Sequence, residues 1–377
     1  MYIHERTDWP NFTWDKNKID TKQIQVSKAV GYLEGRLSAI GFDLQQQATV
    51  EALTHDIVSS YEIEGVQLNL EQVRSSVARR MGVQITNEKE SSHYIEGVVE
   101  MMLDAVNHFS TQLTEERIFS WHSCLFPTGR SAMMPINVGK YRVEPMDIVS
   151  GAWGKEKVHY HAPEASKIPH EMQQFLNWFN ANSTQKDFIK SAIAHFWFVS
   201  IHPFEDGNGR ISRAIADMAL SQADNSALRY FSISHQINKE KRKYYEILEK
   251  CQKGNCDITL WIEWYLDCIL RSIDSAEDIL SSILNKAKFW QYHSQISLSE
   301  RQRTVLNIYL DGYAGKLTTK NWAKLSKTSL DTAARDIKQL ADLGILIPQE
   351  GILRNVPYKI VISNDSTYTT GSEDDDE

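Results

Sequence analysis

The sequence predicts a mainly α-helical protein of several domains, interrupted by one β-hairpin. Three observations carry that prediction. Apolar residues recur at the helical period of about 3.6 through most of the chain. A single stretch, residues 139–160, instead gathers β-branched and aromatic residues around Gly151 and Gly154, the pattern of two strands and a turn. The length of 377 residues corresponds to roughly two or three ordinary domains, enough to bury a sizeable core without staples.

Each element follows from its local pattern. Residues 21–57 place Ile24, Val30, Leu33, Leu37 and Ile40, then Val50, Leu53 and Ile57, at helical spacing, and Gly41 reads as the break between two helices. Residues 1–90 are therefore a helical N-terminal domain. Residues 91–275 form a central domain, with IEGVVEMMLDAVNHF, EERIFSWHSCLF, IPHEMQQFLNWFNA, DFIKSAIAHFWFVSI, GRISRAIADMALSQ, KEKRKYYEILEKCQ and DITLWIEWYLDCIL as successive helices. The hairpin falls within it, at about 148–160. Residues 276–365 read as a linker helix followed by RQRTVLNIYL, LTTKNWAKLSK, SLDTAARDIKQLADLGIL and a strand-like YKIVIS, which is the order of a winged-helix domain. The acidic ending GSEDDDE, free of apolar residues, makes 366–377 a disordered tail.

Composition excludes several function classes. Lys plus Arg number 41 against 49 Asp plus Glu, and the resulting charge of -8 argues against bulk nucleic acid or an anionic membrane as the main partner. Cys124, Cys251, Cys256 and Cys268 form no CxxC pair and no cluster with histidine, so neither a disulfide framework nor a zinc site is expected. The opening MYIHERTDWPNF lacks the apolar segment of a signal peptide, and no run of about 18 apolar residues occurs elsewhere. A soluble, cytoplasmic protein with reduced thiols is the expectation.

Polar residues concentrate in residues 202–213, HPFEDGNGRISR, between an apolar helical stretch at 193–199 and another at 211–220. Gly207, Asn208 and Gly209 can turn successive N–H groups into a concave nest, and the following helix adds its positive end, so the segment reads as an anion site suited to phosphates. Arg210 and Arg213 lie three apart, on one helix face, where two guanidinium forks can hold neighbouring phosphates. Asp206 precedes the nest, where a single carboxylate can hold Mg²⁺ on those phosphates. His202 is the one group in the string that titrates near neutrality and is the candidate general base. Phe204, between polar neighbours, anchors the loop in the core. Taken singly, a histidine before proline marks a helix end and Asp-Gly-Asn-Gly a turn; the inference rests on the whole string. The Gly207-x-Gly209-x-x-Ser212 spacing fails as a dinucleotide fingerprint, because a helix precedes it and serine replaces the third glycine.

HPFEDGNGRISR resembles the signature of the Fic (filamentation induced by cAMP) family, HPFx(D/E)GNGRxxR, at every specified position. The resemblance implies a Fic-type helical core and transfer of AMP from ATP-Mg to a hydroxyl of a target protein, with attack at the α-phosphate and pyrophosphate leaving. It assigns His202 as the catalytic base and Asp206 to Mg²⁺. It assigns Gly207, Asn208 and Gly209 to the anion hole, and Arg210 and Arg213 to the β- and γ-phosphates. The hairpin at 148–160 resembles the family's flap, which holds a target segment by strand addition. The run KYYEIL falls where family members place aromatic residues near adenine; Tyr245 is the first candidate, with Tyr244 and Gln252 beside it.

Residues 60–65, SYEIEG, resemble the inhibitory motif (S/T)xxxE(G/N) of Fic proteins, with Ser60 and Glu64 at the specified positions. The segments around it resemble the N-terminal domain of a bacterial Fic subgroup. The implied brake has Glu64 pairing with Arg213 and withdrawing it from the γ-phosphate, so that bound ATP presents its α-phosphate badly to His202. An exposed ion pair contributes only about 0.2–1 kcal/mol, whereas breaking a buried one costs roughly 3–5, so a working brake requires burial.

Two other functions stay open. The same site could remove AMP from a modified target or transfer another nucleotide, with self-modification a further outcome. From a different class, the winged helix could make the chain a DNA-binding regulator. Residues 318–342 carry Lys320, Lys324, Lys327, Arg335 and Lys338 against Asp331, Asp336 and Asp342, a thin footprint for DNA, and protein contact is the preferred use.

Overall fold

The computed structural model describes residues 1–38, 42–85, 88–151, 157–181, 187–311, 313, 315–349, 356–363 and 366–368. They divide into two compact units, Met1–Ala276 and Glu277–Glu377. The fold is mainly helical, as expected. Among the described residues no helix is long and apolar enough to cross a membrane.

The first unit contains the helices α1 (Lys16–Ser38), α2 (Phe42–Ile63), α3 (Leu70–Met81), α4 (His93–Asn107) and α5 (Glu115–Leu125). Two short strand pairs follow, β1 (Arg130–Ser131) with β2 (Met134–Pro135) and β3 (Asp147–Ser150) with β4 (Lys157–His161). Then come α6 (Ile168–Asn180), α7 (Phe188–Ile201), α8 (Asn208–Asp224), α9 (Ile233–Lys239), α10 (Lys241–Gln252) and α11 (Thr259–Tyr292). The expected N-terminal and central regions thus pack as one body. Ile40 and Gly41, the expected helix break, lie outside the described residues.

At the centre stands α7, buried along its whole length because its sequence is apolar on every face. It packs against α8, and α1 and α6 also lie against it. Indole Nε1 of Trp261 on α11 donates to Ala192 O at 2.8 Å, and the Tyr265 and Ser191 hydroxyls meet at 2.7 Å. Around α8 pack α2, α4 and α5. On α1 the buried stripe is Ile19, Val26, Val30, Leu33 and Leu37; Ile24, expected among them, is exposed because it lies off that face.

The polar N-terminus has a structural use that its composition did not suggest. Thr13 N–H donates to Cys256 O at 2.8 Å and its carbonyl accepts from Ile258 N–H at 2.9 Å, while Trp9 Nε1 donates to Glu171 at 2.8 Å. These bonds strap residues 1–15 across the core.

The expected hairpin is β3 and β4, antiparallel with an irregularity between Ile148 and Val149. Its turn, 152–156, lies outside the described residues. The β1–β2 pair was not foreseen, since two-residue strands leave no alternating pattern.

The second unit holds the end of α11, then α12 (Glu300–Leu310), α13 (Thr319–Ser326), α14 (Leu330–Asp342), β5 (Leu346–Pro348), β6 (Tyr358–Ser363) and β7 (Ser366–Tyr368). Leu306, Tyr309, Trp322, Ile337, Leu340 and Ile360 form its own core. The strand β7 corrects the expectation of disorder from residue 366: it pairs with β6, whose backbone groups on that edge recruit the chain regardless of its polar side chains. Residues 369–377 of the expected tail lie outside the described residues.

One contact in the helical body is close enough to forbid a side chain. A Cβ added at Gly97 on α4 would sit 2.6 Å from Cys124 O on α5, against backbone that cannot yield. Gly97→Ala is expected to lower the unfolding free energy by about 1–3 kcal/mol; an unchanged urea midpoint would show that the two helices can separate freely.

Candidate active site

The turn between α7 and α8 is built on two left-handed backbone positions. His202 ends α7 at φ 50°, its N–H donating to Phe198 O at 3.1 Å, and Gly207 precedes α8 at φ 86°. A non-glycine residue held at positive φ is strained and needs surrounding bonds to keep it there. Gly207 is required by space as well as conformation, because a Cβ there would lie 2.9 Å from the Phe126 ring. Buried Asn208, the first residue of α8, ties down the loop between them: its Oδ1 accepts from Phe204 N–H at 2.9 Å and its Nδ2 donates to Phe204 O at 2.8 Å. Phe204 is fully buried, as expected, with its ring stacked on His122 at 4.2 Å.

The Asn208 side chain is thus consumed by the loop. What it and Gly209 and Arg210 offer an anion is backbone N–H, since the first N–H groups of a helix have no partner within it.

His202 Nδ1 lies 3.2 Å from Val199 O. A carbonyl only accepts, so Nδ1 carries the hydrogen and Nε2 is left with a lone pair. Burial pushes the imidazole pKa down to about 4; the Val199 carbonyl pulls it up, the Arg142 charge presses it down, and Glu64 and Asp206 pull it up. At neutral pH the ring is therefore an uncharged base.

His202 lines a cleft of about 800 Å³ together with Glu64, Gly209, Tyr245, Gln252 and residues of β3 and β4. That volume suits a nucleotide-sized ligand. Tyr245 is 41% exposed, and its hydroxyl reaches Ile63 O at 3.5 Å. Gln252 is buried with Nε2 donating to the Ser200 hydroxyl at 3.1 Å. Tyr244 contributes only an edge to the cleft: it is 2% exposed, its ring packs on Trp261 and Trp264, and its hydroxyl meets His195 Nε2 at 3.0 Å.

The two signature arginines do face one way, and α2 covers that face. Arg213, fully buried, donates from Nε to the Ser60 hydroxyl, from Nη2 to Ser60 O and from Nη2 to Glu64 Oε1, each at 2.8 Å. Its Nη1 is buried without a hydrogen-bond partner among the described residues. Burial opposes the Arg213 charge most strongly, but the Glu64 carboxylate together with Tyr244 and Tyr245 supports it and the net shift is upward. Arg210 is held between the rings of Tyr61 and Phe126, at 5.1 and 4.9 Å, with Nη2 donating to Asp206 Oδ1 at 3.1 Å. Neither arginine lines the cleft. Glu64 does, and a Cβ built on Gly209 would collide with its Oε1 while lying 3.2 Å from Arg213 Nη1. The carboxylate rests on the first turn of α8, on the ground where phosphates were expected.

Asp206 Oδ1 accepts from Gly207 N–H at 2.5 Å, and its Oδ2 accepts from the Ser131 hydroxyl. Among the described residues no three metal-ligating side chains cluster. The Asp206 side chain is 40% exposed, so the donor set fits an ion held by one carboxylate together with phosphate oxygens, the usual manner of Mg²⁺.

Three residues of the site were invisible to sequence reasoning: His122, Ser131 and Arg142. His122 Nε2 donates to Asp206 O at 3.1 Å while its Nδ1 accepts from Gly139 N–H at 3.0 Å, and burial lowers its pKa to about 4, so it serves as a neutral two-sided brace. Arg142 bonds to the His202–Pro203 turn. Each lies on another segment of the chain, and nothing in its own neighbourhood marks it.

Residues 112–220 match the Fic/DOC family, and residues 2–83 match a domain of unknown function, DUF4172. Ser60 and Glu64 thus fall in the DUF4172 match and the 202–213 turn in the Fic/DOC match. The protein adenylyltransferases Fic of Drosophila melanogaster and Drosophila sechellia are each 28% identical to this chain over 235 residues, covering 61% of this chain and 43% of theirs. The chain spans less than half the length of these relatives. A solved Fic family protein from Desulfovibrio desulfuricans G20 shares the fold, with a TM-score of 0.51 and 20% identity over 90% of this chain and 96% of that one.

His195, behind the site, gives a pH test of this electrostatic picture. It is completely buried, and burial followed by the Arg213 charge lowers its pKa to about 3, while the unfolded chain titrates near the ordinary 6.5. As pH falls below about 6.5 the unfolded state takes up the proton first, so stability is lost. Between pH 7 and 5 the wild type is expected to lose about 2 kcal/mol more unfolding free energy than His195→Gln; parallel urea series in which both lose the same amount would contradict a neutral His195.

Proposed function

This chain is a Fic family protein, and from that premise we propose that it transfers AMP from ATP to a hydroxyl of a protein target, restrained by its own Glu64. One observation carries the reading. His202 lines a nucleotide-sized cleft beside the positive end of α8, with Nδ1 committed to Val199 O and Nε2 left to take a proton. With its pKa lowered to about 4, mainly by desolvation, the base is unprotonated at neutral pH, and the arrival of phosphate charge raises its basicity.

In the proposed reaction the target hydroxyl gives its proton to His202 Nε2 as its oxygen bonds to the α-phosphorus. The bond from that phosphorus to the bridging oxygen breaks, and pyrophosphate leaves with the electron pair. The α8 N–H groups of Asn208, Gly209 and Arg210 receive phosphate oxygens, and Tyr245 with Gln252 flanks the adenine. Asp206 is the residue that would hold Mg²⁺, which when bound neutralises phosphate charge. The strand β3 is paired on one edge by β4 among the described residues, and its other edge is suited to an extended target segment.

The same arrangement explains the restraint. Arg213 is held by Ser60 and Glu64, and the Glu64 carboxylate takes the position of a terminal phosphate on α8. With Arg213 fully buried and Glu64 30% exposed, the pair lies between the surface and buried limits, near 1–3 kcal/mol. That suffices to hold most molecules in the restrained state.

With ATP labelled at the α-phosphorus, His202→Ala is expected to lose transfer by at least about 100-fold while keeping the helical circular dichroism. Retained transfer would remove His202 as the base, and label arriving from the γ-position would replace nucleotidyl transfer by phosphoryl transfer. Glu64→Gly is expected to raise labelling by about 5- to 150-fold and to lower unfolding free energy by about 1–3 kcal/mol. A variant that is less stable but no more active would separate the ion pair from regulation.

A further inference from the structure

Arg142 is 2% exposed, and among the described residues no carboxylate is bonded to it. The bonds its side chain makes there go to main-chain carbonyls. Nε donates to His202 O at 2.8 Å, and its own N–H donates to Pro203 O at 2.9 Å, so the residue grips both carbonyls of the His202–Pro203 turn. Nη1 donates to Glu144 O at 2.8 Å and Nη2 to Pro163 O at 2.5 Å. Glu144 lies just before β3 and Pro163 just after β4, where Ala162 N–H also donates to Met146 O at 3.0 Å and closes the hairpin base.

Burying a cation without a counter-charge is costly, and pinning loops does not require it. This chain pins other loops with neutral amides: Asn208 holds Phe204, and Asn180 exchanges bonds with both the N–H and the carbonyl of Leu113. At His202 a guanidinium does the same job across a wider span.

We propose that Arg142 is a positioning residue of the reaction, setting the His202 turn and the base of the target-receiving hairpin in one fixed register. The inference rests on the reading of His202 as the base and of β3–β4 as the target strands. The charge has a second effect. His202 is faced by Arg142 from the loop before the hairpin, by Glu64 from the end of α2, by Asp206 from its own loop and by the Val199 carbonyl from α7. Arg142 is the cation of that set, and it offsets the two carboxylates that would otherwise favour a protonated ring.

Two variants made in the Glu64→Gly chain test this. Arg142→Lys keeps the charge but cannot span all the carbonyls; Arg142→Met keeps the bulk and loses the charge. Histidine-selective isotope labelling gives the titration of His202, amide exchange at Ala162 gives the hairpin base, and AMP transfer gives kcat and KM for ATP. In Arg142→Lys we expect kcat to fall by about 100-fold with KM for ATP within about twofold, faster exchange at Ala162, and a His202 titration close to that of the parent. In Arg142→Met we expect the His202 titration to move up the pH scale by about 1 or more, carrying the acid limb of kcat with it. Unchanged kcat and unchanged Ala162 exchange in Arg142→Lys overturn the proposal, as does an unmoved His202 titration in folded Arg142→Met. If Arg142→Met does not fold, Arg142→Lys decides alone. Should the parent transfer no AMP, the functional reading fails, and the Ala162 and His202 measurements still decide whether Arg142 couples turn and hairpin.

Discussion

The positive end of α8 and the buried guanidinium of Arg213 together require an anion, and here the chain supplies its own. Glu64 comes from the end of α2 and rests on the first turn of α8, while Ser60 takes two more donors of the same arginine. Much of the first unit follows from that constraint. The end of α2 packs deep enough to bury Arg213, and Tyr61 and Ile63, between Ser60 and Glu64, are themselves core residues, each 1% exposed. The N-terminal region is for this reason part of the same packed body as the 202–213 turn.

A second anchor lies further along α2. Buried Asp56 accepts from the Ser232 hydroxyl at 2.6 Å and from Ser234 N–H and hydroxyl at 3.1 and 2.9 Å, at the start of α9. Asp217 on α8 is raised well above the ordinary carboxylate range by burial and by the neighbouring Asp56, despite its bond to Arg229 at 3.0 Å. Polar groups this deep are stabilising only when satisfied, so they fix the placement of α2 against α8 and α9 more sharply than apolar packing alone. The restraint on Arg213 is thereby geometrically specified, not a loose association of two charged side chains.

The loop between α7 and α8 obeys the same economy of satisfied polar atoms. Asn208 secures Phe204, His122 braces the Asp206 carbonyl, Ser131 meets the Asp206 carboxylate, and Arg142 holds the carbonyls of His202 and Pro203. Every one of these partners is neutral at neutral pH except the arginine and the carboxylate. Such a frame lets His202 keep a strained backbone conformation and a single tautomer without a carboxylate to orient it.

The helices were legible because their determinants are local: apolar spacing, capping side chains and glycines at the breaks act within a few residues. The candidate site's turn was legible for the same reason, since His202, Asp206, Gly207 and Arg213 lie in one run and their chemistry is set by residue type. The resemblance of Ser60 and Glu64 to the Fic inhibitory motif likewise pointed to Arg213 before any contact was known. The braces were not legible, because His122, Ser131 and Arg142 stand 60 to 84 residues from the atoms they hold, and a hydrogen bond between distant segments leaves no period in either. Sequence ranked Tyr245 ahead of Tyr244, adjacent on one helix, but only packing shows the difference in exposure, Tyr244 being 2% exposed against Trp261 and Tyr245 41% exposed at the cleft. Residue types and short spacings determined which chemistry this chain carries; burial and long-range packing decided which side chains are free to perform it and which are held away.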